Sequence, residues 1–213
     1  MSSSAPGTKF RTDQEAFWAG EFGSRYIDRN RDEAILAAKT HLMSNLLRAA
    51  RGVSSVVEFG PNIGLNLLAL KRLLPNAEYG AIEINADAVE ALRALGWVEA
   101  HHGSILEQHF ERTYDMVLIS GVLIHIDPDM LGAVYDNLHA ASARYICLSE
   151  YYNPTPVMVP YRGHENRLFK RDFAGEMMDR FPDLRLVDYG FQYHRDPNFP
   201  ADDVTWFVLE KTG

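Results

Sequence analysis

Apolar and polar positions alternate between two periods along most of the chain. From Asp32 to Ala50, Ile35, Leu36, Met43, Leu46 and Leu47 form a stripe at helical spacing, and Gly52 follows as a stop. Ser55–Phe59 is a short apolar run of the kind a strand buried on both faces requires. Leu65 to Leu74 is apolar and rich in helix formers, and Pro75-Asn76 breaks it. The alternation continues with a strand at Glu78–Ile84, a helix at Ala86–Leu95, a short strand at Trp97–Ala100 and a strand at Tyr114–Ile119. A helix opens at Asp127 or Pro128, where proline suits a first turn, and runs to about Ser142. Tyr145–Ser149 is the fifth strand. Strand and helix alternating along this stretch predict an α/β fold with a doubly wound parallel sheet. After residue 150 the pattern changes: Val157–Arg167 reads as irregular, Arg171–Phe181 as a helix, and Leu184–Tyr189 and Val204–Glu210 as strands closing the sheet antiparallel.

The densest chemistry lies at the first strand's end, Glu58-Phe59-Gly60-Pro61-Asn62-Ile63-Gly64. A glycine-bearing turn between strand and helix aims backbone N–H groups and a helix N-terminus at a nucleotide-like ligand. About twenty residues later a second apolar run ends at Glu83-Ile84-Asn85, where a carboxylate can accept both hydroxyls of a ribose. This E-x-G-x-N-x-G spacing resembles motif I of the class I S-adenosylmethionine (SAM)-dependent methyltransferases, with Asn62 in place of the usual middle glycine. Asn is the non-glycine residue that best tolerates positive φ, so the turn survives. The resemblance implies a single-domain Rossmann-like fold, seven mostly parallel strands with helices on both faces. It assigns Glu58, Gly60, Asn62, Gly64, Glu83 and Ile84 to the cofactor. Ser104 and Ile105 match the position this class places against adenine, and Ser120 closes the fourth strand at the same edge.

Ligands in such sheets sit beyond the carboxyl ends of the strands. The ends of strands four and five are therefore expected to face the methyl acceptor. His125, in Ser120-Gly121-Val122-Leu123-Ile124-His125-Ile126, can accept a proton or a hydrogen bond. Glu150, with Tyr151, Tyr152 and Asn153, offers a carboxylate, phenols and an amide just past a buried strand, and Glu15, Glu21 and Glu165 can reach the same mouth. Residues Phe17 to Asn30, with three aromatics and two glycines, read as a lid moving at Gly20 and Gly23 that brings Trp18 and Tyr26 over the ligand. Residues 1–8 read as a disordered tail, 9–50 as lid and helix, 51–150 as cofactor core, and 151–213 as an acceptor-side insert with antiparallel strands.

Composition narrows the partners. A net charge of −8 lacks the basic footprint nucleic acid requires. No apolar run approaches the roughly 18 residues that span a bilayer. The single cysteine, Cys147, sits in an apolar strand, fits a reducing cytoplasm and reads as an inert core thiol. The eight histidines lack metal-ligand spacing, so no metal is expected. The partner expected is a small molecule, with neither nucleic acid nor membrane.

A second resemblance covers about Phe17 to Lys211. The stretch from Trp18 to Asn30, Ser149-Glu150-Tyr151-Tyr152-Asn153-Pro154-Thr155-Pro156, Tyr161-Arg162-Gly163-His164 and Leu168-Phe169-Lys170-Arg171-Asp172-Phe173 are similar to the pseudaminic acid biosynthesis-associated methylases. That family name implies nonulosonic sugars, which carry acetamidino groups, and natural-product relatives that act on the guanidine of free arginine. Both are planar N–C–N cations that carboxylates suit. The resemblance thus implies N-methylation, with Glu150 as the primary acid, Glu21 as the second, and Arg162 or Lys170 holding an acceptor carboxylate. O-methylation with His125 as base, and a non-catalytic SAM-binding module, are the rival readings.

Overall fold

The computed structural model describes residues 10–27, 33–107, 110–161 and 163–212. Two short helices come first, α1 (Asp13–Ala19) and α2 (Glu21–Ile27), then the long α3 (Glu33–Ala49). The alternating core follows: β1 (Ser55–Phe59), α4 (Leu65–Leu73), β2 (Glu78–Glu83), α5 (Ala86–Ala94), β3 (Val98–His102) and β4 (Tyr114–Ser120). Two 3₁₀ turns, Leu123–His125 and Pro128–Met130, lead into α6 (Leu131–Ala141) and β5 (Ser142–Glu150). The chain ends with β6 (Val157–Tyr161), β7 (His164–Lys170), α7 (Phe173–Arg180), β8 (Leu184–Phe191) and β9 (Thr205–Lys211).

Seven strands form one sheet in the order β3-β2-β1-β4-β5-β9-β8, parallel except for β9, which runs antiparallel to both of its neighbours. The order reverses between β1 and β4, and that switch point opens a crevice at the strands' carboxyl edge.

The central strands are apolar on both faces because each face carries its own helical layer. Val56, Met116, Leu118, Tyr145 and Cys147 point into one layer with α3 and α4. Their alternates Val57, Val117, Ile119, Ile146 and Leu148 point into the other, with α6 and α7. Period-two alternation between two apolar layers is why the sequence shows continuous apolar runs here. Cys147 is fully buried, and burial pushes its thiol up to about 12.

Three expectations are corrected. The stretch 157–167 is a β-hairpin: Val157 pairs with Lys170, Met158 with Phe169 and Val159 with Leu168. It lies outside the main sheet, so no second apolar face repeats and the period is obscured. The N-terminal segment to Ile27 is two helices; Thr12 and Glu15 close a capping box on α1. Gly23 lies within α2, where a Cβ would meet the Trp18 carbonyl at 1.9 Å, so this glycine permits helix-on-helix packing. Residues 1–8 and 28–30 lie outside the described residues. Among those described, no helix is long and apolar enough to cross a membrane.

Candidate active site

A cavity of about 690 Å³ opens at the switch point, roofed by α1 and α2 and closed at one side by the loop between β8 and β9. Its floor is the β1–α4 turn. Gly60 has φ 72, and a Cβ there would lie 2.7 Å from Val122. Asn62 is the one non-glycine residue with positive φ (53) among the described residues, and its Oδ1 accepts the Ile63 N–H at 2.8 Å. Asn62 thus does locally what glycine does by lacking a side chain. Gly64, also left-handed, starts α4 without lining the cavity.

Glu83 ties two turns together. One of its oxygens accepts the Asn62 N–H at 2.9 Å and the other the Asn85 N–H at 2.9 Å. Burial pushes this carboxyl up, opposed by those N–H bonds. Both oxygens keep lone pairs, and the residue lines the cavity with Ile84 and Asn85. Asn85 caps α5 through Oδ1, while its amide donates to the Trp18 carbonyl at 3.2 Å, latching the roof to the sheet. Glu15 and Ser104 meet in a second latch: the Ser104 hydroxyl donates to the Glu15 carboxylate, so this acid lies at the Ser104–Ile105 end of the cavity. Ser120 lines the floor.

Glu58 lies behind the turn rather than on the cavity surface. It is fully buried; Oε1 accepts from Asn66 at 2.6 Å, and Oε2 is buried with no partner, as is Oδ1 of Asn66. Burial raises Glu58 to about 7, with the Asn66 amide and Lys39 opposing. Lys39, on α3, lines the cavity and makes no hydrogen bond or ion pair of its own among the described residues. Burial lowers its pKa, and attraction to Glu58 and then Asp202 acts against that. One unpaired ammonium beside two unpaired buried acceptors is the complement of an α-amino acid zwitterion. Sequence reasoning missed Lys39; its only sequence signal is a lysine in the apolar stripe of α3.

The other half of the cavity is aromatic. The Trp18 ring stands 5.5 Å from Tyr26 and 4.7 Å from His125, and His125 stands 4.9 Å from Tyr161. His125 is buried, and its Nδ1 lies 2.5 Å from the Arg167 carbonyl of the β6–β7 hairpin. A carbonyl only accepts, so Nδ1 carries the proton and Nε2 keeps its lone pair. Burial lowers this imidazole to about 4, so it is neutral at physiological pH. Tyr151, Ser149, Gln192, His194 and Asp202 complete this half. Burial and the Asp202 charge raise the Tyr151 phenol.

Four acceptor-side expectations meet a different placement. Glu150 is 2% exposed and points beneath the turn after β4, where Oε1 accepts the N–H groups of Val122 (3.0 Å) and Leu123 (3.1 Å). Its neighbours Ser149 and Tyr151 line the cavity, whereas Glu150 does not. Strand alternation alone sends it to the opposite face. Glu21 is on the surface of α2 beside Arg25, at 3.3 Å. Tyr152 is exposed, and Asn153 turns outward to donate to the Thr155 carbonyl. Arg162 lies outside the described residues, as does the side chain of Glu165. Lys170 sits over the Tyr151 ring at 5.0 Å.

Residues 57–144 match the family described as "Methyltransferase domain". No curated protein matches the sequence. Among solved structures the chain is similar to the Burkholderia thailandensis 1,6-didemethyltoxoflavin N1-methyltransferase bound to its substrate and S-adenosylhomocysteine (SAH). That match has a TM-score of 0.69 at 17% identity and covers 99% of this chain and 94% of that one. It is also similar to the magnesium protoporphyrin IX methyltransferase of Synechocystis PCC 6803 with bound SAH, at TM-score 0.69, 14% identity, 94% and 100% coverage. A third is the glycopeptide N-methyltransferase MtfA with SAH, at TM-score 0.65, 10% identity, 91% and 98% coverage. The fold is the one these SAH-bound methyltransferases share, and residues 57–144 within it match a methyltransferase domain.

Proposed function

We propose that the protein transfers a methyl group from SAM to a nitrogen of a small guanidine- or amidine-bearing molecule, with the guanidino group of free L-arginine the best candidate. The observation that carries this reading is the aromatic half-cavity of Trp18, Tyr26, Tyr151 and Tyr161 around a neutral His125, directly beside the cofactor floor. Two structural neighbours are named as N-methyltransferases, and the whole-chain resemblance points to N–C–N acceptors.

The residues fit the cofactor at three places. Lys39 and Asn66 would hold an amino acid end, with Glu58 behind Asn66 supplying negative charge beneath it, Glu83 a ribose, and Ser104 with Ile105 a base. Bound SAM supplies an electrophilic methyl on a sulfonium. The chain's own task is then to align a nucleophile and exclude water. Aromatic faces stack on a planar cation and hold it in one plane. The bare Nε2 of His125 accepts an acceptor N–H, fixing which nitrogen faces the methyl and keeping electron density on it. An imidazole with a pKa near 4 does not retain that proton, so it leaves to solvent after transfer. The roof, latched through Asn85 and Ser104, covers the reacting atoms.

The test is transfer of isotopically labelled methyl from SAM to a panel of L-arginine, an acetamidino-bearing nonulosonic sugar and hydroxyl acceptors, read by mass spectrometry of the products. Methylated arginine or amidine is expected. Turnover of hydroxyl acceptors alone overturns N-methylation, and cofactor binding without turnover on any acceptor favours a non-catalytic SAM-binding module.

A further inference from the structure

Among the described residues three carboxylates line the cavity, and two of them are taken up by backbone N–H groups. Glu15 accepts the N–H groups of Arg11 and Thr12 and the Ser104 hydroxyl. Glu83 accepts from Asn62 and Asn85. The buried acids nearby are committed too, Glu58 to Asn66 and Glu150 to the turn after β4. Asp202 differs. It lines the cavity from the loop joining β8 to β9 and, among the described residues, has no ion-pair partner within 4 Å. Its side chain is hydrogen-bonded by the Tyr151 phenol, a neutral partner, and at longer range it attracts Lys39, which is drawn to Glu58 first.

The loop that carries Asp202 is braced on both sides. Asp196 accepts the N–H groups of Asn198 and Phe199, both at 2.8 Å, and the Phe199 ring stacks on His41 of α3 at 4.5 Å. Asp203 accepts the His194 N–H at 2.9 Å, and the Gln192 N–H donates to the Val204 carbonyl. The other two loop acids thus build the loop, and the braces on either side hold Asp202, which takes a neutral phenol and no cation as its partner among the described residues, at the aromatic half of the site. A fixed carboxylate facing aromatic rings is a cation-recognition arrangement.

We propose that Asp202 is the specificity-determining acid of the acceptor site, pairing with the cationic N–C–N group while Tyr151 and Trp18 bound its plane; this rests on the N-methyltransferase reading above. The loop between β8 and β9, rather than the end of β5, then selects charge. A guanidinium is favoured over its neutral urea isostere because only the cation compensates Asp202.

Binding and turnover are measured separately on the full chain. Calorimetric titration of the SAH-loaded protein with L-arginine, acetamidine and L-citrulline is done for the parent, Asp202→Asn and Asp202→Glu. The parent is expected to bind L-arginine at least tenfold more tightly than L-citrulline. Asp202→Asn should erase that preference by weakening L-arginine and acetamidine far more than L-citrulline, and Asp202→Glu should restore part of it. Asp202→Asn matching the parent for both cations, or a parent with no preference for charge, overturns the proposal. Charge-dependent binding without methyl transfer to either cation upholds Asp202 as the selecting acid and overturns the N-methyltransferase reading alone.

Discussion

Glu150→Gln separates a carboxylate that supports a turn from one that contacts the acceptor. The carboxyl is buried to 2%, Oε1 accepts two backbone N–H groups, and Oε2 has no partner. Burial therefore raises its pKa to about 7 against those N–H bonds, from an unfolded value near 4.5. The folded state holds this proton more tightly than the unfolded one. Its stabilising contribution is complete below about pH 4.5 and is lost as pH rises through 7. A carboxyl raised from 4.5 to about 7 corresponds to roughly 3 kcal/mol. A glutamine oxygen still accepts both N–H groups but cannot ionise, so the variant lacks this loss. Urea unfolding of parent and variant at pH 5 and pH 8.5 should show the variant gaining roughly 2–3 kcal/mol on the parent across that interval, since part of the loss is already complete at pH 5. Methyl transfer at pH 7 should fall by well under tenfold, because the turn bearing His125 is kept. Glu150→Leu removes the acceptor from two buried N–H groups and should cost about 1–3 kcal/mol for each N–H left unpaired. A parent–variant difference that is the same at both pH values would refute the raised pKa. A hundredfold loss of kcat/KM in Glu150→Gln with unchanged stability would put the carboxylate on the acceptor.

Glu58, raised to about 7, should ionise when an ammonium arrives, so SAH binding near pH 6 should release up to one proton and tighten as pH rises to 7; calorimetry in buffers of different ionisation enthalpy reads this, and Glu58→Gln should abolish it. Lys39→Met removes the unpaired ammonium and should weaken SAH binding roughly 10- to 100-fold, the loss of one charged hydrogen bond, without lowering the unfolding midpoint, since burial already disfavours the charge. Asn62→Ala should destabilise the protein by about 1–2 kcal/mol because alanine pays for the left-handed conformation at φ 53, whereas Asn62→Gly should stay within about 0.5 kcal/mol of the parent by thermal unfolding.

The parallel core was legible because burial on two faces writes continuous apolar runs: Val56 and Val57, or Met116 to Ile119, read as strand without any knowledge of partners. The cofactor floor was legible because backbone geometry dictates residue type there. A left-handed turn admits Gly60, Asn62 and Gly64 and little else, and an acid at the next strand's tip stands in reach of it. The acceptor side follows no such local rule. Whether Glu150 or Tyr151 faces the ligand depends on a single step of strand alternation, and the apolar run of β5, buried on both faces, carries no mark of which step it is. Lys39 reads as an ordinary charge until α3 is laid against Glu58. Asp202 reads as one acid among several in a polar loop until His194, Phe199 and Val204 anchor that loop on either side of it. Sequence therefore exposes the residues whose type is forced by their own backbone. Residues that act through placement emerge only when the β8–β9 loop, the β6–β7 hairpin and the α1–α2 roof are brought over one cavity. In the proposed reading, cofactor binding rests on the first kind and the choice of acceptor on the second. Exchanging the β8–β9 loop should accordingly change which molecule is methylated more readily than whether SAM is bound.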